Sequence, residues 1–300
     1  MNPTVRMRAG ELSDAVASWE EHGFVLLPGY VPLHELGPAQ RELALLFPTP
    51  EEFHDSIDEP RNAKYRGDEF AGITNFPFVS VELSLLAVHP RLIALAETLL
   101  GTADLRLYAA EAWAKYTGAA DYDQWHHRDY LNHTLLVPTE TPAFGQVELF
   151  LYLSDVPEEL GPPHFVSKRY TQGTAALPNW LSRAQRPEWY AVEVSGTGPA
   201  GTVAAYSIGT FHRGTALTAP RGARYTIHVS YRTAMAEWAN GMGWAKQAHE
   251  PAWYAFVVRA SLRQLVLFGF PPPGHAFWTE ETLAAIALRY PRLDLAPFRP

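Results

Sequence analysis

The chain of 300 residues contains no cysteine and only four methionines. Without thiols there are no disulfides, Cys-ligated zinc sites, thiol nucleophiles or iron–sulfur clusters. A transition metal, if held, must be held by imidazole nitrogen and carboxylate oxygen. An excess of positive charge is missing too: 24 Lys and Arg stand against 32 Asp and Glu, a formal net charge of −8. Nucleic-acid binders cluster basic residues, so no nucleic-acid partner is expected. The opening Met1-Asn2-Pro3-Thr4-Val5-Arg6 has no apolar run of the secretory type. The most apolar stretch, 83–100, is broken by His89, Pro90, Arg91 and Glu97. It falls short of the ~20 apolar residues that cross a bilayer. The expectation is a cytoplasmic protein with no membrane partner. What the chain has in quantity is histidine, twelve in all, and aromatics: nine Trp, 14 Tyr and 15 Phe.

Helical spacing predicts helices over 10–22, 34–47, 81–100, 251–268 and 279–290, with a break at His89-Pro90 and a stop at Gly101. Residues 48–78 are polar and rich in turn formers, which predicts a long excursion or lid. From Leu105 the period changes to two. Strands are expected at 107–116, 146–153, 190–194, 202–207 and 224–231, separated by turns such as Gly161-Pro162-Pro163, and a short buried strand is expected earlier, over 22–29, ended by Pro28 and Gly29. The fold class is therefore mainly β with flanking helices around a barrel or sandwich. The whole of 1–300 is expected to be one domain: N-terminal helices 1–104, a β core 105–235 and a helical extension 236–300.

Side chains alternate between the two faces of a strand. In 224–231 one face holds Tyr225, Ile227, Val229 and Tyr231; the other holds Arg224, Thr226, His228 and Ser230. In 146–153 the greasy face is Val147, Leu149, Leu151 and Leu153, opposed by Gln146, Glu148, Phe150 and Tyr152. In an open sandwich the polar faces would meet water. In a small barrel they would line a ligand cavity.

Trp125-His126-His127-Arg128-Asp129 contains His-x-Asp. On extended backbone His127 and Asp129 point the same way and can grip one ion. His212 follows the strand that ends at Ser207, and Arg224 opens the next strand twelve residues later. Two His and one carboxylate with open positions select non-haem Fe(II) that activates O2. The arginine adds a fixed cation able to fork onto a carboxylate.

These residues, in this order, resemble the phytanoyl-CoA dioxygenase-like family of Fe(II)/2-oxoglutarate oxygenases. The likeness runs over about residues 10–235. It includes His22-Gly23-Phe24-Val25-Leu26-Leu27-Pro28-Gly29, Leu151-Tyr152-Leu153-Ser154-Asp155 with Gly161-Pro162-Pro163, and Phe211-His212-Arg213-Gly214-Thr215. The resemblance implies a double-stranded β-helix, a cupin-like jelly roll. It implies Fe(II) on His127, Asp129 and His212, and 2-oxoglutarate with its far carboxylate on Arg224 and Thr226. O2 would be the second cosubstrate. The doubled histidine resolves one way: a ligand at His126 would put Arg128, which cannot bind a cation, at the carboxylate position. His126 is therefore expected to face away, as a packing residue. Halogenating relatives of that family have a small residue at the carboxylate position, so an acid at position 129 implies hydroxylation or another C–H oxidation, with desaturation and ring formation sharing the same triad.

Gln124 and Lys115 are candidates for the near end of the cosubstrate, although a strand lysine is as often simply solvated. Trp113, Glu148, Phe150, Tyr152 and His228 are candidates for the substrate wall, against a plain core or solvated reading. His22, His34, His54, His89, His133, His249 and His275 have no partner at ligand spacing, and His164 borders the expected cavity. The substrate is expected to be a small molecule. No basic cluster or Gly-rich phosphate loop supports an acyl-CoA, and the aromatic load suits an apolar or ring-containing specialised metabolite. Two other readings fit the same residues: a cupin-like metalloenzyme that ignores 2-oxoglutarate, and a non-catalytic barrel that binds a small ligand. Oligomeric state is not legible in the sequence.

Overall fold

The computed structural model describes residues 9–66, 70–119, 122–239, 243–248 and 250–299. His249 lies outside them. Nine strands are present among the described residues: β1 Phe24–Leu27, β2 Thr74–Asn75, β3 Leu105–Tyr116, β4 Gln146–Tyr152, β5 His164–Phe165, β6 Val194–Ser195, β7 Val203–Ser207, β8 His212–Arg213 and β9 Ala223–Thr233. They form a six-stranded sheet of order β1-β7-β4-β9-β3-β2 and a three-stranded sheet of order β6-β5-β8. Every pairing within them is antiparallel. Phe165 of the small sheet packs with Phe24, Ala204 and Tyr206 of the large one, so the two sheets meet face to face. The mainly β class with flanking helices is what the chain adopts.

The period-two pattern decides which face is which. Tyr225, Ile227, Val229 and Tyr231 of β9 join Val147, Leu149 and Leu151 of β4 in the main apolar core. The helices Val81–Ala87 and Pro90–Leu100 bring Leu83, Leu86, Leu92, Leu95 and Leu99 to that same core. Burial of each such side chain contributes about 1.5–3 kcal/mol against leaving it exposed. The opposite face looks into the space between the sheets. There, cross-strand register aligns chemistry: Lys115 lies opposite Arg224, Trp113 opposite Thr226 and Glu111 opposite His228. On the other side of β9, Tyr152 lies opposite Thr226 and Phe150 opposite His228. Directly opposed residues share a face.

Several elements differ from the sequence expectation. Residues 190–194 are not a strand. Pro187–Val192 is a helix, with β6 only at Val194–Ser195. Pro187 sits at the first helical position, where its fixed φ and missing N–H are tolerated, and the short run carries no helical periodicity. The helix expected over 34–47 ends at Arg41 and tightens into a 3₁₀ turn at Leu43–Leu45. The excursion 48–78 holds two short helices, Pro50–Asp55 and Pro60–Ala63, and β2. The first is fixed by a Thr49/Glu52 capping box, and Phe53 is fully buried against Tyr116. The expected helix over 251–268 is two helices, Pro251–Val257 and Leu262–Val266, the second started by a Ser261/Gln264 capping box.

Val81–Leu100 passes a length-and-hydropathy test for a membrane span, with mean hydropathy 1.5, beyond what the sequence reading allowed. It is two helices broken at Val88-His89, and 61% of it is buried inside the protein.

Candidate metal centre and its cavity

His127 and His212 come from different parts of the chain but pair backbone to backbone. His127 N donates to His212 O at 2.8 Å, and His212 N donates to His127 O at 2.9 Å. This bridge sets the two imidazoles side by side, ring centroids 4.5 Å apart. Asp129, two residues on, points to the same side. One ligand atom from each of the three lies within 4.8 Å of the others. His127 Nε2 is 3.7 Å from Asp129 Oδ1, and His212 Nε2 is 3.5 Å from Oδ2.

The far nitrogen of each imidazole is spoken for. His127 Nδ1 lies 2.9 Å from Trp125 O, and His212 Nδ1 lies 3.2 Å from Thr210 O. A carbonyl can only accept, so Nδ1 carries the proton and Nε2 turns its lone pair inward. That tautomer is the one a metal ligand needs. Burial alone would raise the Asp129 pKa, but the imidazoles of His212, His133, His127 and His228 outweigh it and hold the carboxyl well below its usual range. Burial likewise lowers His212, against the pull of Asp129. The set offers one carboxylate oxygen and two imidazole Nε2 atoms, a donor set that fits a divalent iron-type cation.

Tyr206, on β7, donates its hydroxyl to Asp129 Oδ2 at 2.7 Å. Burial and the nearby carboxylates push its pKa well up, so it stays a donor. Tyr206 Oη also lies 3.2 Å from His228 Nε2, which is 3.1 Å from Glu148 Oε2. Glu148 is completely buried and is further held by the hydroxyls of Tyr108 and Ser230. Burial works against charge on both members of this pair. Yet His133 and His228 hold the Glu148 carboxyl below its usual value, and Glu148 holds the His228 imidazole above its own.

A cavity of about 390 Å³ opens over the three ligand-type side chains. Its lining includes Arg224 and Lys115, which face each other in one row of the sheet, Thr226, Trp113 and Tyr152 in the next, and Glu111, His228 and Phe150 in the third, with Gln124, Gly214, Phe70, Asn132 and His133 from other segments. Trp180 stacks on His127 at 4.0 Å and 14° while remaining 41% exposed, a cover over the ligand ring. Arg224 is 6% exposed, and its Nη1 donates to Gly161 O. Gln124 accepts from Gly214 N at 2.8 Å through its side-chain oxygen. A Cβ at Gly214 would sit 2.9 Å from that oxygen, so only glycine permits the approach.

Thus His127, Asp129, His212, Arg224, Thr226, Gln124, Lys115, Trp113, Phe150, Tyr152 and His228 all face one cavity. Glu148 does not: it lies behind His228 as that residue's counter-ion, because the β4 register places it opposite Ser230 instead of in the open row. His126 turns away to Glu193, 2.8 Å from Oε2, under the rings of Trp189 and Tyr190. Arg213, the other buried arginine near His212, forks onto Glu193 at 2.9 and 2.7 Å. His164 also joins Glu193, and its neighbour Pro163 lines the cavity. Sequence reasoning missed Tyr206, Glu111, Asn132, His133 and Trp180. Strand alternation with Val203 and Ala205 in the core would have put Tyr206 on the cavity face. His133 was set aside for want of a partner, yet it lies 4.0 Å from Glu148.

No family model and no curated protein matches the chain. Many solved structures share its fold. The epimerase SnoN in complex with Fe3+, alpha ketoglutarate and nogalamycin RO is 23% identical at TM-score 0.56, covering 76% of this chain and 85% of that one. The non-heme alpha ketoglutarate dependent carbocyclase SnoK is 19% identical at 0.54, covering 77% and 86%. EctD from S. alaskensis in its apoform is 14% identical at 0.55, covering 76% and 77%. At these identities the likeness establishes the architecture: the chain has the double-stranded β-helix fold of these proteins.

Proposed function

We propose that the protein is an Fe(II)/2-oxoglutarate-dependent oxygenase that acts on a C–H bond of a small ring-containing metabolite, with hydroxylation as its outcome. The carrying observation is the convergence of His127, Asp129 and His212 on one cavity whose far end holds a buried arginine. His127 Nε2, His212 Nε2 and an Asp129 oxygen would hold Fe(II). With 2-oxoglutarate and O2, that iron supplies the oxidising power for C–H cleavage, with succinate and CO2 as coproducts.

The chain's own residues supply orientation and shelter. Arg224 offers a planar fork to the far carboxylate of 2-oxoglutarate, and Thr226, two residues on along β9, lines the same cavity. Tyr206 fixes one Asp129 oxygen by hydrogen bonding, which leaves the other for the metal. Trp180 and the Phe70–Trp113 pair close the sides and exclude water. SnoN and SnoK, an epimerase and a carbocyclase on the same fold, favour a role in specialised-metabolite biosynthesis. Residues 1–300 act as one unit in this reading.

A cupin-like enzyme without 2-oxoglutarate, or a silent binding barrel, does not call for an arginine on the wall of the cavity. The test is Fe(II)- and O2-dependent conversion of 2-oxoglutarate to succinate by reconstituted protein, with Arg224→Ala alongside. Turnover that falls at least about tenfold in the variant supports the reading, since a charge-assisted hydrogen bond contributes about 1.5–3 kcal/mol. Absence of iron-dependent turnover, or no effect of the variant, contradicts it. Gain of one oxygen atom by the substrate distinguishes hydroxylation from ring closure or epimerisation.

A further inference from the structure

The cavity is chemically lopsided. Register places Lys115 and Arg224 in its first row, Trp113, Thr226 and Tyr152 in its second, and Glu111, His228 and Phe150 in its third. Lys115 and Arg224 stand at one end; at the other Glu111 faces the His228 imidazole, which is itself shared with Glu148. The buried carboxylates around it have donors: Glu148 has Tyr108, Ser230 and His228, and Glu193 has Arg213 and His126. Asp129 has Tyr206. Glu111 lines the cavity, yet no side-chain hydrogen bond or ion pair engages it among the described residues. A carboxylate half withdrawn from water without a donor is costly, and a ligand that brings a donor removes that cost.

Beside it stands an aromatic wall. Phe70 and Trp113 stack at 5.6 Å and 24°, and Trp113 is two residues from Glu111 on the same face of β3. Two strands over on the same sheet face, Phe150 stacks on His228 at 4.6 Å and 26°. Flat apolar walls with one anionic group at the end select a ring that carries a cation. A second dicarboxylate or a phosphorylated molecule would be repelled by Glu111.

We propose that the substrate is a ring-bearing amine whose ammonium group docks on Glu111 while its ring lies between the Phe70–Trp113 wall and Phe150. This rests on reading the cavity as the active site. Glu111 is then the residue that selects the substrate, and the amine end lies two rows from Arg224, while Lys115 Nζ sits over Trp113 at 5.0 Å on the 2-oxoglutarate side.

The test compares 2-phenylethylamine with its neutral isostere 2-phenylethanol, titrated by NMR into the metal-free protein and into Glu111→Gln and Glu111→Asp. The amine should bind at least about tenfold more tightly than the alcohol, as expected for a hydrogen bond to a charged group. Glu111→Gln should abolish that gap, and Glu111→Asp should keep part of it. Equal affinity for both probes, no binding of either, or a gap that survives in Glu111→Gln overturns the proposal. The last result would place the amine on another anion such as Asp129. The comparison uses neither iron nor 2-oxoglutarate. Failure of the oxygenase reading would show separately, as missing 2-oxoglutarate turnover with the amine preference intact.

Discussion

Tyr206 touches Asp129, His228 and the two sheets at once, and its hydroxyl is the contact by which the protein orients its carboxylate ligand-type residue. Removing only that hydroxyl should cost metal affinity with little cost in packing. Tyr206→Phe is expected to weaken Fe(II) binding about 10–100-fold, the usual effect of losing a partner that orients a ligand. Anaerobic metal titration checks this, and an unchanged affinity would mean that Asp129 is positioned without Tyr206. Two buried arginines near His212 show how burial alone misleads. Arg213 is matched by Glu193, whose carboxyl burial would raise but Arg213, His126 and His164 hold far below its usual range. Glu193→Ala would leave the buried Arg213 with Asp123 as its one remaining carboxylate among the described residues and should destabilise the fold by about 3 kcal/mol in chemical denaturation. Arg224 faces the cavity instead, so its loss should fall on 2-oxoglutarate. The motif His127-x-Asp129 and the spacing from His212 to Arg224 were readable because each ligand type stands at a fixed place in the strand order. Tyr206, Glu111 and His133 were not, since their roles come from residues far away in sequence.

Among elements, the long strands were legible and the short ones were not. β3, β4, β7 and β9 run five to twelve residues, long enough for alternation to declare a face. β5, β6 and β8 have two residues each, too few to show any period. They matter all the same, because β8 carries His212. The turn before β5 links element to site. Gly161 sits at φ +65°, and a Cβ there would lie 2.5 Å from Thr215 O and 3.0 Å from Ala216 O. Its carbonyl accepts from Arg224. Gly161→Ala should therefore cost about 1–3 kcal/mol of backbone strain and also loosen Arg224. Thermal unfolding and 2-oxoglutarate affinity should fall together. A loss of stability with unchanged affinity would show that the turn does not hold the arginine.

At the scale of the molecule, the C-terminal helices carry no motif but pack on the same core. Phe76, beside β2, meets Trp244, Trp253, Phe256 and Phe268 with centroids 5.0–6.3 Å apart. Hydrophobic content alone could not say that these rings close over the segment that positions Ile73 at the cavity. Phe256 is fully buried, so Phe256→Ala should cost about 3–5 kcal/mol in denaturant unfolding. A cost below about 1 kcal/mol would mean that the extension is loosely attached.

The fold, the centre and the lopsided cavity combine in one claim: three side chains hold Fe(II), and Arg224 holds the far end of 2-oxoglutarate. Anaerobic titration of 2-oxoglutarate into the Fe(II)-loaded protein, followed by visible charge-transfer absorption, tests this most directly. The account predicts a saturable band in the native chain, no band in His212→Ala, and an apparent affinity weakened at least about tenfold in Arg224→Ala. No band in the native chain, or the same band in all three proteins, would contradict it.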